Sequence, residues 1–181
     1  MKPRPRGKWI LSTLCLIPLT FCLLYESPLP NAQAVEHAQV NAPAPDFNLP
    51  TLEGKQVSLS SLRGKVVLLT FWAIWCHVCR EEMPMLDSLH KKYRDKGLEV
   101  VGVNIDRDVG ASVQDYVKQH GLSFPILLDQ ERKAMKLYRA HFVPTTFVLD
   151  KRGIIVDKKV GPYKWSTPES QGFLEELLKK Q

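Results

Sequence analysis

The stretch that most constrains this 181-residue chain is Lys65–Trp72 (KVVLLTFW), a continuous apolar, β-rich run followed at once by a helical pattern. A strand apolar on both sides must be covered on both faces. The helical pattern runs from about Cys76 to Arg94 and ends at Lys96-Gly97. Leu98 to Ile105 (LEVVGVNI) is a second buried strand. Between Val109 and His120 the apolar residues Val109, Val113, Tyr116 and Val117 share one helical face, and His120 falls on that stripe as a packed histidine. Phe124 to Leu128 reads as a short strand and Glu131 to Arg139 as a short helix. Thr145 to Leu149 and Ile154 to Val160 flank a Lys151-Arg152-Gly153 turn, the chemistry of an antiparallel hairpin. A last amphipathic helix, about Thr167 to Lys180, carries Phe173, Leu174, Leu177 and Leu178 as its apolar face. Asp46 to Leu59 reads as a small hairpin turning at Glu53-Gly54. The sum is an α/β sheet with helices on both faces.

Charge concentrates ahead of that region. The formal net charge is +6, but Lys2, Arg4, Arg6 and Lys8 crowd the first eight residues. Beyond residue 34 there are 21 basic and 18 acidic residues, a net of +3 without a basic stripe, so no nucleic-acid partner is expected. The basic start and the apolar run from Trp9 to Tyr25 have the order of an export signal. Two readings stand: cleavage after Ala32-Gln33-Ala34, or an uncleaved anchor that just reaches the minimum span of a bilayer. Bulky Phe21 ahead of Cys22 argues against a lipoprotein, and the basic flank against a buried core helix. Either leading reading exports the remainder. The expected organisation is a signal or anchor segment (1–25), a flexible Pro/Ala-rich linker (26–42) with a solvated His37, and a domain (43–181).

With Cys15 and Cys22 inside the leader, the exported domain owns two cysteines, in Trp75-Cys76-His77-Val78-Cys79 at a strand–helix junction. Structural zinc needs four ligands, usually from a second CxxC or an HxxxH pair, and neither exists. Covalent haem attachment needs His where the chain has Arg80. A redox dithiol suits the position, because free N–H groups and the dipole at a helix start stabilise a thiolate. Cys76 is then the nucleophile and Cys79 the resolving thiol. His77 and Arg80 either add positive potential or are solvated surface groups. On a helical wheel with Cys79 at zero, Met83, Leu86, Leu89 and Tyr93 cover an arc from roughly 280° to 40°, with Glu82 inside it near about 300° and Glu81 outside. A carboxyl in an apolar wall has a raised pKa and can take the Cys79 proton near neutrality. The alternative is a Glu82 left at the solvent edge by helix curvature.

The stretch APAPDFNLPTLEGKQVSLSSLRGKVVLLTFWAIWCHVCREEMP, with VVGVNID and FVPTTFVLD, resembles the TlpA/ResA-like thiol–disulfide oxidoreductases over about residues 43 to 178. The resemblance implies a thioredoxin-like fold: a central mixed β-sheet flanked by helices, an N-terminal β-hairpin and a central helix–strand insertion at residues 109–128. It implies that Cys76 attacks, Cys79 resolves, and Glu82 is the glutamate three residues on. Trp75 would border the site, Pro84 would kink the helix, and Val143-Pro144 would form the cis-proline loop that pairs with a substrate strand. It implies no cofactor and no metal. The expected partners are protein substrates with disulfides, apocytochrome c among them, and a transmembrane thiol reductase as electron donor. Thr70 stands where thioredoxin has a buried aspartate, and Val78 where many members have proline.

Two rivals share the fold. A thiol peroxidase expects a Pro-x-x-x-Thr/Ser-x-x-Cys frame, and this chain has Leu69 and Ala73 there. A copper-binding assembly factor expects Cys-x-x-x-Cys with a distant histidine, and the spacing here is two residues.

Overall fold

The computed structural model describes residues 37–108 and 111–180, all within the unit Val35–Gln181. The expected leader (1–25), its Ala34 cleavage position and most of the linker lie outside the described residues.

Alternation of apolar segments produces seven strands and four α-helices among those residues. β1 (Asn48–Pro50) and β2 (Gln56–Ser58) form the expected hairpin. Gly54 turns it at φ +80°, a conformation that costs glycine least. β3 (Val66–Trp72), β4 (Leu98–Asn104) and β5 (Ile126–Leu128) run parallel, and β6 (Thr145–Leu149) and β7 (Ile155–Val160) complete the sheet antiparallel. The sheet order is β5-β4-β3-β6-β7, which places the apolar run of β3 at the centre. All seven β3 residues are buried, as a strand covered on both faces requires. α1 (His77–Tyr93), α2 (Ala111–Gln119), α3 (Lys133–Leu137) and α4 (Pro168–Lys179) flank it. This is a thioredoxin-like α/β architecture with α2 and β5 as the central insertion.

The core is aromatic at its centre. The rings of Phe71 and Tyr138 lie 5.4 Å apart, and Tyr138 and Phe147 meet edge to face at 5.1 Å. In β4, glycine permits close approach: a Cβ at Gly102 would lie 2.8 Å from Ile126 Cδ1 and 3.2 Å from Phe124 Cε2. Where thioredoxin has its aspartate, Thr70 is buried and its hydroxyl accepts from Thr146 on the paired strand at 3.0 Å.

Three expectations need correction. His120 is exposed: its amide carries the last helical bond of α2, to Tyr116 O at 3.0 Å, and its ring lies over Tyr116 at 4.1 Å at the solvent edge of the stripe instead of packing inside. The Glu131–Arg139 helix shortens to Lys133–Leu137, because Arg132 and Arg139 both take positive φ, 56° and 47°. The described part of the expected linker is fastened to the domain. The Ala38 amide donates to Leu137 O at 3.1 Å, Asn41 to Ile155 O at 2.7 Å, and Ile155 to Ala42 O at 3.0 Å. His37 likewise has its Nδ1 3.4 Å from Leu137 O instead of standing free in solvent.

Candidate active site

The site lies where the carboxyl ends of β3 and β4 meet the start of α1, the end of a parallel sheet at which ligand sites concentrate. β3 stops at Trp72 and the chain turns through Ala73-Ile74-Trp75. That turn is pinned from β4: the Ile74 amide donates to Asp106 Oδ2 at 2.8 Å, and Asn104 Nδ2 donates to the same oxygen at 2.7 Å. Both polar side chains are buried, so each partner offsets the desolvation of the other.

Cys76 is the N-cap of α1, with extended backbone (φ −84°, ψ 102°). Its sulfur does what a Ser or Asp oxygen does at other helix starts: it accepts the Cys79 amide at 3.2 Å. An N–H donor and the positive end of a 17-residue helix therefore both face Cys76 Sγ. The two cysteines form a disulfide with Cα atoms 5.3 Å apart. The sulfurs are unequal: Cys76 is 7% exposed and Cys79 1%.

Across from the disulfide, the Val143–Pro144 peptide is cis. The Val143 carbonyl oxygen lies 3.6 Å from Cys76 Sγ. Trp75 is 63% exposed, Val78 39% and Phe142 72%, three of the five large apolar side chains exposed among the described residues. They belong to the CxxC turn and the cis-proline loop, so the disulfide carries an apolar rim. His77 and Glu81, both mostly exposed, pair at 3.4 Å at the solvent side of α1. Arg80 is half-buried.

Glu82 lies in the buried arc with Met83, Leu86, Leu89 and Tyr93, at 4% exposure, and not at the solvent edge. Trp165 Nε1 donates to its Oε1 at 2.7 Å. Burial pushes its pKa from 4.5 up to about 7, and N–H donation from Trp165 and the Tyr163 backbone pulls back only part of that rise. Its second oxygen, Oε2, is buried without a hydrogen bond of good geometry among the described residues. A carboxyl in this state changes protonation near neutrality, one turn along the helix from Cys79.

The structure thus brings together Trp75, Cys76, Cys79, Glu82, Val143 and Pro144, drawn from two sequence regions. Sequence reasoning missed Asp106 and Trp165. A polar Asn-x-Asp at the end of an apolar strand was a usable signal for the first. Trp165, 83 positions from Glu82, carried none.

Fold and site together define a thioredoxin-like protein with a redox disulfide at a helix N-terminus. The AhpC/TSA family model matches residues 40–158. A thiol-disulfide oxidoreductase ResA of Bacillus cereus is 36% identical over 142 residues, covering 78% of this chain and 80% of that protein. The thioredoxin-like protein YneN of Bacillus subtilis is 39% identical over 159 residues, covering 85% and 90%. Among solved structures, a candidate thiol:disulfide interchange protein DsbE from Chlorobium tepidum superposes with a TM-score of 0.72 at 32% identity, covering 78% of this chain and 99% of that one. The chain belongs to the ResA-like thiol–disulfide oxidoreductases of the AhpC/TSA family, and it is a thiol–disulfide oxidoreductase.

Proposed function

We propose that this chain works as a reductant of disulfides in extracytoplasmic proteins, with Cys76 attacking and Cys79 resolving. The inequality of the two sulfurs carries the reading: the more accessible one is the N-cap that accepts an amide N–H, framed by an apolar rim that suits a protein substrate. The Cys76 thiolate attacks one sulfur of the substrate disulfide, whose other sulfur leaves and takes up a proton. Cys79 then gives its proton to the Glu82 carboxylate, and its thiolate attacks Cys76 Sγ in the mixed disulfide. The second substrate sulfur leaves and is protonated, and the Cys76–Cys79 disulfide closes with two electrons transferred.

The basic and apolar leader supports export, with the N-terminal segment either retained as an anchor or removed near Ala34. A reductant outside the cytoplasm needs its own electron supply, and a transmembrane thiol reductase fits that need. Oxidised apocytochrome c, whose CxxCH cysteines must be reduced before haem attachment, is the substrate that the family resemblance brings forward.

The test equilibrates the full chain with glutathione buffers and traps free thiols. A potential near about −270 mV supports a reductant, whereas one near about −120 mV overturns the direction and makes the protein an oxidant. In parallel, Cys79→Ser is expected to accumulate a mixed disulfide with an oxidised CxxCH peptide, and Cys76→Ser to accumulate none.

A further inference from the structure

Trp165 stands in the segment between β7 and α4 and is 1% exposed. The indole has one polar group, and that group bonds Glu82 Oε1. Its orientation is fixed from behind. Ser170 Oγ donates to the Trp165 carbonyl at 2.7 Å, and the Ser170 amide donates to the hydroxyl of Thr167, the α4 N-cap, at 3.2 Å. The Tyr163 ring packs edge to face on the indole at 4.8 Å. The start of α4 therefore aims the indole N–H at one oxygen of the carboxyl, while the other oxygen, Oε2, is buried without a hydrogen bond of good geometry among the described residues. A buried carboxyl oxygen without a well-formed hydrogen bond is poised to exchange a proton.

We propose that Trp165 is a positioning residue for thiol–disulfide exchange: its indole N–H locks Glu82 Oε1 so that Oε2 is the oxygen that receives the Cys79 proton. This deepens the proposed function and rests on the proton role of Glu82 in it. The same N–H favours the carboxylate over the acid, so it keeps Glu82 ionisable inside an apolar wall. Ionisable neighbours are Arg80 and the His77–Glu81 pair on α1, Tyr163 and Lys164 ahead of α4, and Lys159 of β7, whose Nζ lies 4.8 Å from the Tyr163 ring. None of their side chains contributes to the Glu82 shift, which comes from burial and from two N–H donors, the Trp165 indole and the Tyr163 backbone.

Trp165→Phe keeps an aromatic ring and deletes the N–H. In the full chain, exchange rates against pH are measured for wild type, Trp165→Phe and Glu82→Gln, together with the Trp165 indole ¹H–¹⁵N resonance. The resonance is assigned in the wild type through its correlations to the Trp165 backbone. The proposal expects the Glu82-dependent limb of the rate profile to move up by about one pH unit in Trp165→Phe. The indole resonance of the wild type should titrate with the midpoint of that limb and stop titrating in Glu82→Gln. An unmoved limb in a folded Trp165→Phe overturns the proposal and leaves Trp165 as packing. If Trp165→Phe does not fold, the resonance decides: a midpoint matching the limb supports positioning, and a pH-independent resonance overturns it. A Glu82→Gln profile identical to wild type overturns the proton role itself, an outcome distinct from failure of Trp165 alone.

Discussion

At the scale of single residues, Glu82 couples stability to pH with a definite sign. Its folded pKa of about 7 exceeds the ordinary 4.5, so between these values the native state holds a proton that the unfolded chain has released. Stability therefore falls as pH rises from about 4.5 through about 7 and levels off above, by on the order of 3 kcal/mol. Glu82→Gln removes the titration. Urea unfolding of the oxidised protein at pH 5 and pH 8 should show wild type losing stability relative to Glu82→Gln, and parallel behaviour would refute the raised pKa. The exposed rim makes a different prediction. Phe142→Ser and Trp75→Ser each remove apolar surface that only a large substrate can cover, costing roughly 1 kcal/mol of binding. KM for a protein disulfide such as insulin should rise about fivefold with kcat kept, while reduction of glutathione disulfide stays unchanged. Equal losses on both substrates would mean that the rim acts on the cysteines and not on the substrate.

At the scale of elements, the insertion helix is tied to the active-site helix through a defect in the latter. Pro84 lies inside α1 and lacks the N–H that would bond the Arg80 carbonyl four residues back. That carbonyl accepts the Tyr116 hydroxyl from α2 at 2.6 Å instead. Tyr116→Phe leaves the carbonyl without this partner and should cost about 1 kcal/mol in denaturant unfolding. Pro84→Ala restores an N–H to the helix, so Tyr116→Phe should cost measurably less in the Pro84→Ala background. Additive effects in that double-mutant cycle would show that the two groups do not share the carbonyl. The proline expected from sequence only as a kink is thus also the reason α2 has a docking point near the first turn of α1.

At the scale of the whole molecule, Tyr138 joins three parts of the chain. Its ring packs with Phe71 and Phe147 in the core, it follows directly on α3, and its hydroxyl donates to Pro45 O at 2.6 Å. Burial raises its pKa well above the ordinary tyrosine value, so the phenol stays a donor at any working pH. Tyr138→Phe keeps the packing and releases Pro45. Expected are a stability loss of about 1 kcal/mol and faster proteolysis within residues 38–45, read by limited digestion and mass spectrometry. An unchanged digestion pattern would show that the backbone bonds from Ala38, Asn41 and Ala44 hold the arm by themselves.

The sequence by itself determined the local facts. Continuous apolar runs could form only covered strands, the 3.6-residue period of α1 placed Glu82 among buried residues, and the two-residue cysteine spacing allowed a disulfide at the helix start. These follow from near neighbours along one chain segment, where periodicity and turn chemistry act directly. His120 marks the limit of that logic: it keeps the helical bond to Tyr116 O, but at the last turn of α2 no other element covers it enough to bury it, and it stays exposed. Tertiary structure alone decided which distant groups meet the site. Asp106 pins the turn before Cys76 because parallel pairing sets the end of β4 beside the end of β3. Val143 faces Cys76 from 67 positions away, and Trp165 bonds Glu82 from 83. A hydrogen bond between such residues leaves no period in the sequence, because its geometry is the product of every strand register and helix packing between them.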